Sequence, residues 1–146
     1  MALNVVTSVC ATLGISEIPV YRGEVQNACA FADNFGNRFI TYNPNFLNYL
    51  YTNNQWAPIS VLAHEVGHHF GMHSSWYGSF LHPWTKELQS DYISGYVLYK
   101  LGCPSIQDAL SAMNLMFSYT GTASHPDSPK RMDALIQGYN RASQGF

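Results

Sequence analysis

The reading of this chain turns on Ile59-Ser60-Val61-Leu62-Ala63-His64-Glu65-Val66-Gly67-His68-His69-Phe70. Residues four apart share one face of a helix, so His64 and His68 can present their imidazoles to a single point. Two neutral imidazoles at that spacing make half of a zinc site. Glu65 follows the first of them, where a carboxylate can take a proton from a water activated by the metal and pass it on. Pro58 suits the first turn of such a helix, because its missing N–H would be unpaired there anyway. Ile59, Val61, Leu62, Val66 and Phe70 frame the polar residues with apolar ones, which predicts a largely buried helix ending near His73. The alternative is an ordinary helix whose histidines happen to fall four apart. Glu65 and the apolar framing favour the metal.

A catalytic zinc usually takes three protein ligands and leaves one position to water. Two residues compete for the third place. His73 follows Gly71 in a run that resembles the metzincin pattern, but that pattern puts its last histidine where Ser74 stands, so His73 falls one residue short. Met113 and Met116 lie in a helical stretch and do not make a Met-turn. His73 therefore reads better as a polar residue at the end of the helix. The other candidate is Glu87, in Glu87-Leu88-Gln89-Ser90-Asp91. Glu87 and Asp91 are four apart and share a helix face. Glu87 can reach the metal while Asp91 accepts the second N–H of a ligand imidazole and so orients it. A solvated acidic pair is the plain alternative. However, Leu88, Tyr92, Ile93, Tyr96, Val97 and Leu98 make this helix mostly apolar, and only 11% of the chain is charged, so two carboxylates here call for a partner.

Outward from these motifs, Leu3, Val5, Val6, Val9, Cys10 and Leu13 recur at helical spacing, and Gly14 suits a helix C-terminus. Ile18 to Tyr21 reads as a short strand whose Pro19 favours an edge. Ala28–Ala32 and Arg38–Tyr42 flank the turn-rich Asp33 to Asn37, which predicts a hairpin. Pro44 to Tyr51 reads as a short helix. Thr85 can cap a long helix to about Leu101, closed by Gly102. Ser105 with Asp108 resembles a capping box for a further helix through Phe117, and Ser128-Pro129 opens the last one. There is no internal repeat or low-complexity tract, so residues 1–146 are expected to form one metallopeptidase domain.

Composition narrows the function. The chain is 47% apolar, enough for a core, with a net charge of −2 and no cluster of Lys or Arg, which argues against nucleic acid. No apolar run is long enough to span a bilayer. The segment from Met1 to Gly14 lacks the basic start of a signal peptide. A soluble protein is expected, and an extracytoplasmic one, periplasmic or secreted with its leader removed, is compatible with this. Cys10, Cys29 and Cys103 are odd in number and set among apolar residues, so they read as small hydrophobes rather than a disulfide framework.

The pairing of His64-Glu65-Val66-Gly67-His68 with Glu87-Leu88-Gln89-Ser90-Asp91 resembles the HtpX/CAAX-prenyl-protease family of gluzincin metallopeptidases, whose second motif is Glu-x-x-x-Asp. Ser124-His125-Pro126 with Arg131 is similar to that family's later Thr-His-Pro and Arg. Asn27-Ala28 resembles its Asn-Ala segment before the active-site edge strand. Gly95-Tyr96-Val97-Leu98-Tyr99-Lys100-Leu101-Gly102 is most like the small soluble bacterial members. Ser90 stands where the family usually has Ala, and the transmembrane helices of the membrane-embedded members have no counterpart. The resemblance implies Glu87 as third zinc ligand and His125 facing the cleft as oxyanion donor or zinc cap. It also implies that Arg131 holds Asp91 or Glu87, and that a substrate strand adds along Asn27, Ala28 and Ala30.

The expectation is an α+β, zincin-like fold with a mainly helical body and a small antiparallel sheet with a hairpin edge. One Zn2+ per chain would be held by His64, His68 and Glu87, with Glu65 as base. The activity would be endopeptidase cleavage of a peptide or protein substrate. A metzincin-like zinc hydrolase and a non-catalytic, zinc-stabilised binding module are the rival readings.

Overall fold

A computed structural model describes residues 1–116 and 126–145. Helix α1 (Ala2–Leu13) ends at Gly14, whose φ of 69° is the left-handed conformation that glycine adopts without strain. Strands β1 (Val20–Arg22), β2 (Ala28–Ala32) and β3 (Arg38–Tyr42) form one sheet in the order β1-β3-β2. The hairpin forms as expected, with Ala30 opposite Ile40. The sheet is mixed rather than antiparallel, because β1 runs parallel to β3. Arg22 and Ala28 both lie beside Tyr42, so residues 23–27 need only cross the end of β3. Alternation along a strand reports which faces are buried, not the order of strands. Pro19 accepts from the Ile40 N–H but has none of its own to donate, in keeping with β1 at an edge.

Asn43 caps α2 (Pro44–Asn53) through its side-chain oxygen, and Pro44 fills the first turn. The central helix is α3 (Trp56–Phe70). It stops at Phe70, short of the expected His73. Gly71 closes it, and Met72 at φ 57° turns the chain back. A 3₁₀ turn at Tyr77–Phe80 follows, leaving Trp76, Tyr77 and Phe80 exposed. Helix α4 (Pro83–Lys100) begins earlier than expected: His82, not Thr85, is its cap, because Pro83 already fits the first helical position. The next helical stretch is broken at Leu110 into α5 (Ile106–Ala109) and α6 (Ser111–Met116). Asp127 caps α7 (Ser128–Ser143).

Helix α3 packs against α1, α2, α4, α6 and both hairpin strands. Val6, Val9, Ile40, Leu47, Leu50, Leu62, Val66 and Val97 close one core around it. A second core joins Leu98, Cys103, Met113, Leu135 and Tyr139. Small residues set the spacing of the helical layer. The Ser60 and Ser94 hydroxyls meet at 3.3 Å between α3 and α4. Between α4 and α7, a methyl group on Gly95 would overlap the Leu135 carbonyl, and one on Gly138 would overlap that of Tyr92. Their backbones therefore touch, which sets the first turn of α7 against the acidic face of α4. All three cysteines are free thiols; Cys10 and Cys103 are buried as expected, and Cys29 is half-buried. No helix among the described residues is long and apolar enough to cross a membrane.

Candidate metal centre

Spacing on α3 puts the His64 and His68 rings edge to face, with centroids 4.7 Å apart. Ligand atoms of His64, Glu65 and His68 lie within 4.8 Å of one another, a cluster that could hold a metal ion. Helix α4 brings a second carboxylate to the same point. Glu87 Oε2 lies 2.8 Å from His64 Nε2 and 3.5 Å from His68 Nε2, while Glu65 Oε2 lies 4.0 Å from His64 Nε2. Donors about 2.0–2.1 Å from one tetrahedral ion sit about 3.3 Å from each other. The two Glu87 distances bracket that spacing. Two imidazoles and a carboxylate are also a donor set that suits zinc and leaves a coordination position open.

The outer nitrogens of both imidazoles are engaged. His64 Nδ1 lies 2.9 Å from Asp91 Oδ1. Arg131, from α7, donates to both oxygens of Asp91 at 2.8 and 2.9 Å and to Glu87 at 3.3 Å. Asp91 and Arg131 are both buried. His68 Nδ1 lies 2.8 Å from His73 Nδ1, and His73 Nε2 lies 2.6 Å from Gln89 Oε1. His73 is buried at the centre instead of standing at a helix end, because the turn at Gly71 and Met72 folds it back over α3. Gly71 makes that fold possible, since a Cβ there would lie 2.5 Å from His73 Nε2.

Charge adds to the geometric fit. Three carboxyl groups, of Glu65, Glu87 and Asp91, gather here around the single guanidinium of Arg131, so added positive charge between them is favoured. The ionisation of the side chains records this. Burial disfavours charge on His64, but hydrogen bonds to Asp91 and Glu87 lift its pKa to about 10. Burial also works against the Glu87 carboxylate, yet His64 and His68 hold it well below the usual range. His68 is pushed down, chiefly by burial. Burial pushes Glu65 up to about 7, with the charge of Glu87 adding to it, against His64, the Ala30 N–H and Arg131.

The cluster lines a cleft of about 650 Å³ whose opposite wall is β2. Asn27 and Asp33 bracket the β2–β3 ladder: the Asn27 carbonyl accepts from Asn43 N–H, and Asp33 N–H donates to Asn37. Ile40 and Tyr42 instead bond towards β1 and its extension. Hydrogen-bonded and non-bonded pairs alternate along an antiparallel ladder. Ala28 and Ala30, opposite Tyr42 and Ile40, therefore turn their backbone groups away from β3 at the strand's outer edge. Asn27, Ala28 and Ala30 all line the cleft.

His64, Glu65, His68, Glu87, Asp91 and Arg131 are thus brought together, with Asn27, Ala28 and Ala30 facing them. His125 lies outside the described residues. Sequence reasoning missed the inward-facing role of His73 and the bond that Gln89 makes to it; the one signal that pointed to them was a glycine two residues before a histidine, just after the motif. No family model, curated protein or solved structure matches the chain.

Proposed function

We propose that this chain is a zinc-dependent endopeptidase of gluzincin type on a zincin-like fold, with residues 1–146 forming one metallopeptidase domain. One zinc per chain is held by His64, His68 and Glu87. The observation that carries this reading is the convergence of Glu87 Oε2 on both imidazole Nε2 atoms, at 2.8 and 3.5 Å, inside a cleft bounded by a strand edge. Zinc bound there supplies a Lewis acid and lowers the pKa of a water.

The remaining steps belong to the chain's own residues. Asp91, fixed by Arg131, holds His64 by Nδ1 and leaves Nε2 to face the cleft. Glu65 takes a proton at its carboxylate from a water in the cleft and gives it to the leaving amine nitrogen. A carboxyl pushed up to about 7 by burial suits both transfers, because a proton shuttle works best near its own pKa. An extended peptide or protein substrate adds to the outer edge of β2 at Asn27, Ala28 and Ala30. Glu65 would stand beside the ligands and not among them, since its carboxylate is 4.0 Å from His64 Nε2 where that of Glu87 is at 2.8 Å.

Glu65→Gln tests this directly. The variant is expected to keep one zinc per chain and to lose about 10²–10⁴-fold in kcat on an unfolded casein substrate. Near-normal turnover would refute the base, and loss of the zinc would make Glu65 a ligand.

A further inference from the structure

We infer that His73 is a positioning residue for the metal: through His68 it fixes the tautomer and ring orientation that leave His68 Nε2 facing the cleft. The inference rests on the zinc reading above and deepens it. The two ligand imidazoles are held by chemically different partners, Asp91 for His64 and a neutral imidazole for His68.

The direction of this chain of hydrogen bonds follows from its last member. Gln89 meets His73 with its carbonyl oxygen, Oε1, at 2.6 Å, and a carbonyl only accepts. His73 Nε2 therefore carries the proton. A neutral imidazole has one N–H, so His73 Nδ1 is the acceptor. The atom 2.8 Å from it, His68 Nδ1, must then be the donor. With its proton on Nδ1, neutral His68 keeps its Nε2 lone pair, which faces Glu87 Oε2 at 3.5 Å. An amide oxygen on the outer side of α4 thus selects the tautomer of a ligand on α3. The Ser90 hydroxyl, 3.5 Å from His73 Nδ1, borders the same ring. The geometry is held by backbone as well: His73 N–H donates to the His68 carbonyl, and its ring closes against Gly71. Partners of this kind typically contribute 10–100-fold to metal affinity.

The experiment measures zinc affinity by competition with a fluorescent chelator, on the full chain, for four proteins. His73→Phe keeps a ring but removes the acceptor; it is expected to bind zinc about 10–100-fold more weakly, still at one per chain. His73→Asn places an amide oxygen near the former Nδ1 and is expected to recover most of that loss. Gln89→Leu changes an exposed position, so it survives any folding defect of the His73 variants, and is expected to weaken zinc several-fold. Wild type is the reference. Unchanged affinity in both His73→Phe and Gln89→Leu would overturn the positioning role while leaving the zinc site intact. Loss of zinc from His73→Phe and His73→Asn alike would make His73 a ligand and overturn it the other way. A wild type that binds no zinc would refute the site itself.

Discussion

The two walls of the cleft are built on opposite principles. On the helical wall, side chains of α3, the turn after it, α4 and α7 answer one another: Asp91 holds His64, Arg131 holds Asp91, and His73 holds His68. On the strand wall, β2 gives its inner backbone groups to β3 and turns those of Ala28 and Ala30 outward. A wall of interlocked charges fixes atoms to within a fraction of an ångström, as a metal requires. A strand edge is a template that any extended peptide can pair with, whatever its side chains. On the proposed reading, affinity for the metal and affinity for substrate are therefore separable in this fold. Changes on one wall should leave the other's function measurable.

The largest effect is expected where the helical wall is most deeply buried. Arg131→Met removes the guanidinium that bridges the Asp91 and Glu87 carboxylates inside this wall. Breaking a buried pair in this way typically costs about 3–5 kcal/mol. Chemical denaturation of the metal-free variant should show a loss of that size, and added zinc should restore part of it by binding only the folded state. A loss below 1 kcal/mol would mean that the pair is worth no more than a surface salt bridge, and the interlocked wall would lose its physical basis.

Much of this wall was legible in the sequence. His64 and His68 on one face, and Glu87 with Asp91 on another, follow from helical periodicity alone, and the hairpin followed from its turn and its β-rich flanks. The failures have one physical source, which is contacts that periodicity does not encode. The parallel pairing of β1 depends on where a five-residue link crosses β3. The place of His73 depends on a positive φ at Met72 and on the missing side chain at Gly71, neither of which alters the apolar pattern. The depth of Arg131 depends on the contact of Gly95 and Gly138 with the facing backbone. In sequence these are just small residues on helices. The start of α4 was misplaced for a simpler reason: Thr85 is a good cap, but Pro83 had already set the first turn.

A smaller effect is expected on the strand wall. Ala28→Pro removes an N–H that points away from β3, so the ladder keeps its bonds and the fold should be little affected. If substrate pairs with this edge, the variant loses one backbone hydrogen bond to it, worth roughly 1 kcal/mol, or about fivefold to tenfold in kcat/KM. Zinc affinity should not move. A variant that cleaves extended peptides as well as wild type would place the substrate elsewhere in the cleft, whereas one that loses zinc would show that the walls are not separable.

The smallest effect belongs to the residue that ties the walls together. His69 follows His68 on α3 and is fully buried. Its Nε2 lies 2.9 Å from the Phe39 carbonyl on β3, and its own carbonyl accepts from Arg38 Nη1 at 2.6 Å. A carbonyl partner puts the proton on Nε2, and Nδ1 is then buried with no hydrogen-bond partner. Protonating Nδ1 would bury an unpaired N–H beside a guanidinium. The pKa of His69 is accordingly lowered from 6.5, by burial first and by Arg38 and His68 after it, although the Phe39 carbonyl works the other way. The sign follows from linkage. The neutral form belongs to the fold, so the contribution of His69 is complete above the unfolded value of 6.5 and is lost as pH falls from there towards the lower folded value. One proton gives a slope of at most about 1.4 kcal/mol per pH unit. Other histidines titrate in the same range, so the informative quantity is the difference between two metal-free proteins, wild type and His69→Leu. Their unfolding free energies should converge as pH drops below 6.5, because only the wild type has this imidazole to protonate on unfolding. Parallel curves would mean that His69 is protonated as easily in the fold as out of it. The unpaired Nδ1 would then cost the fold nothing on protonation, and the neutral imidazole would not be what fastens the helix to the strand wall.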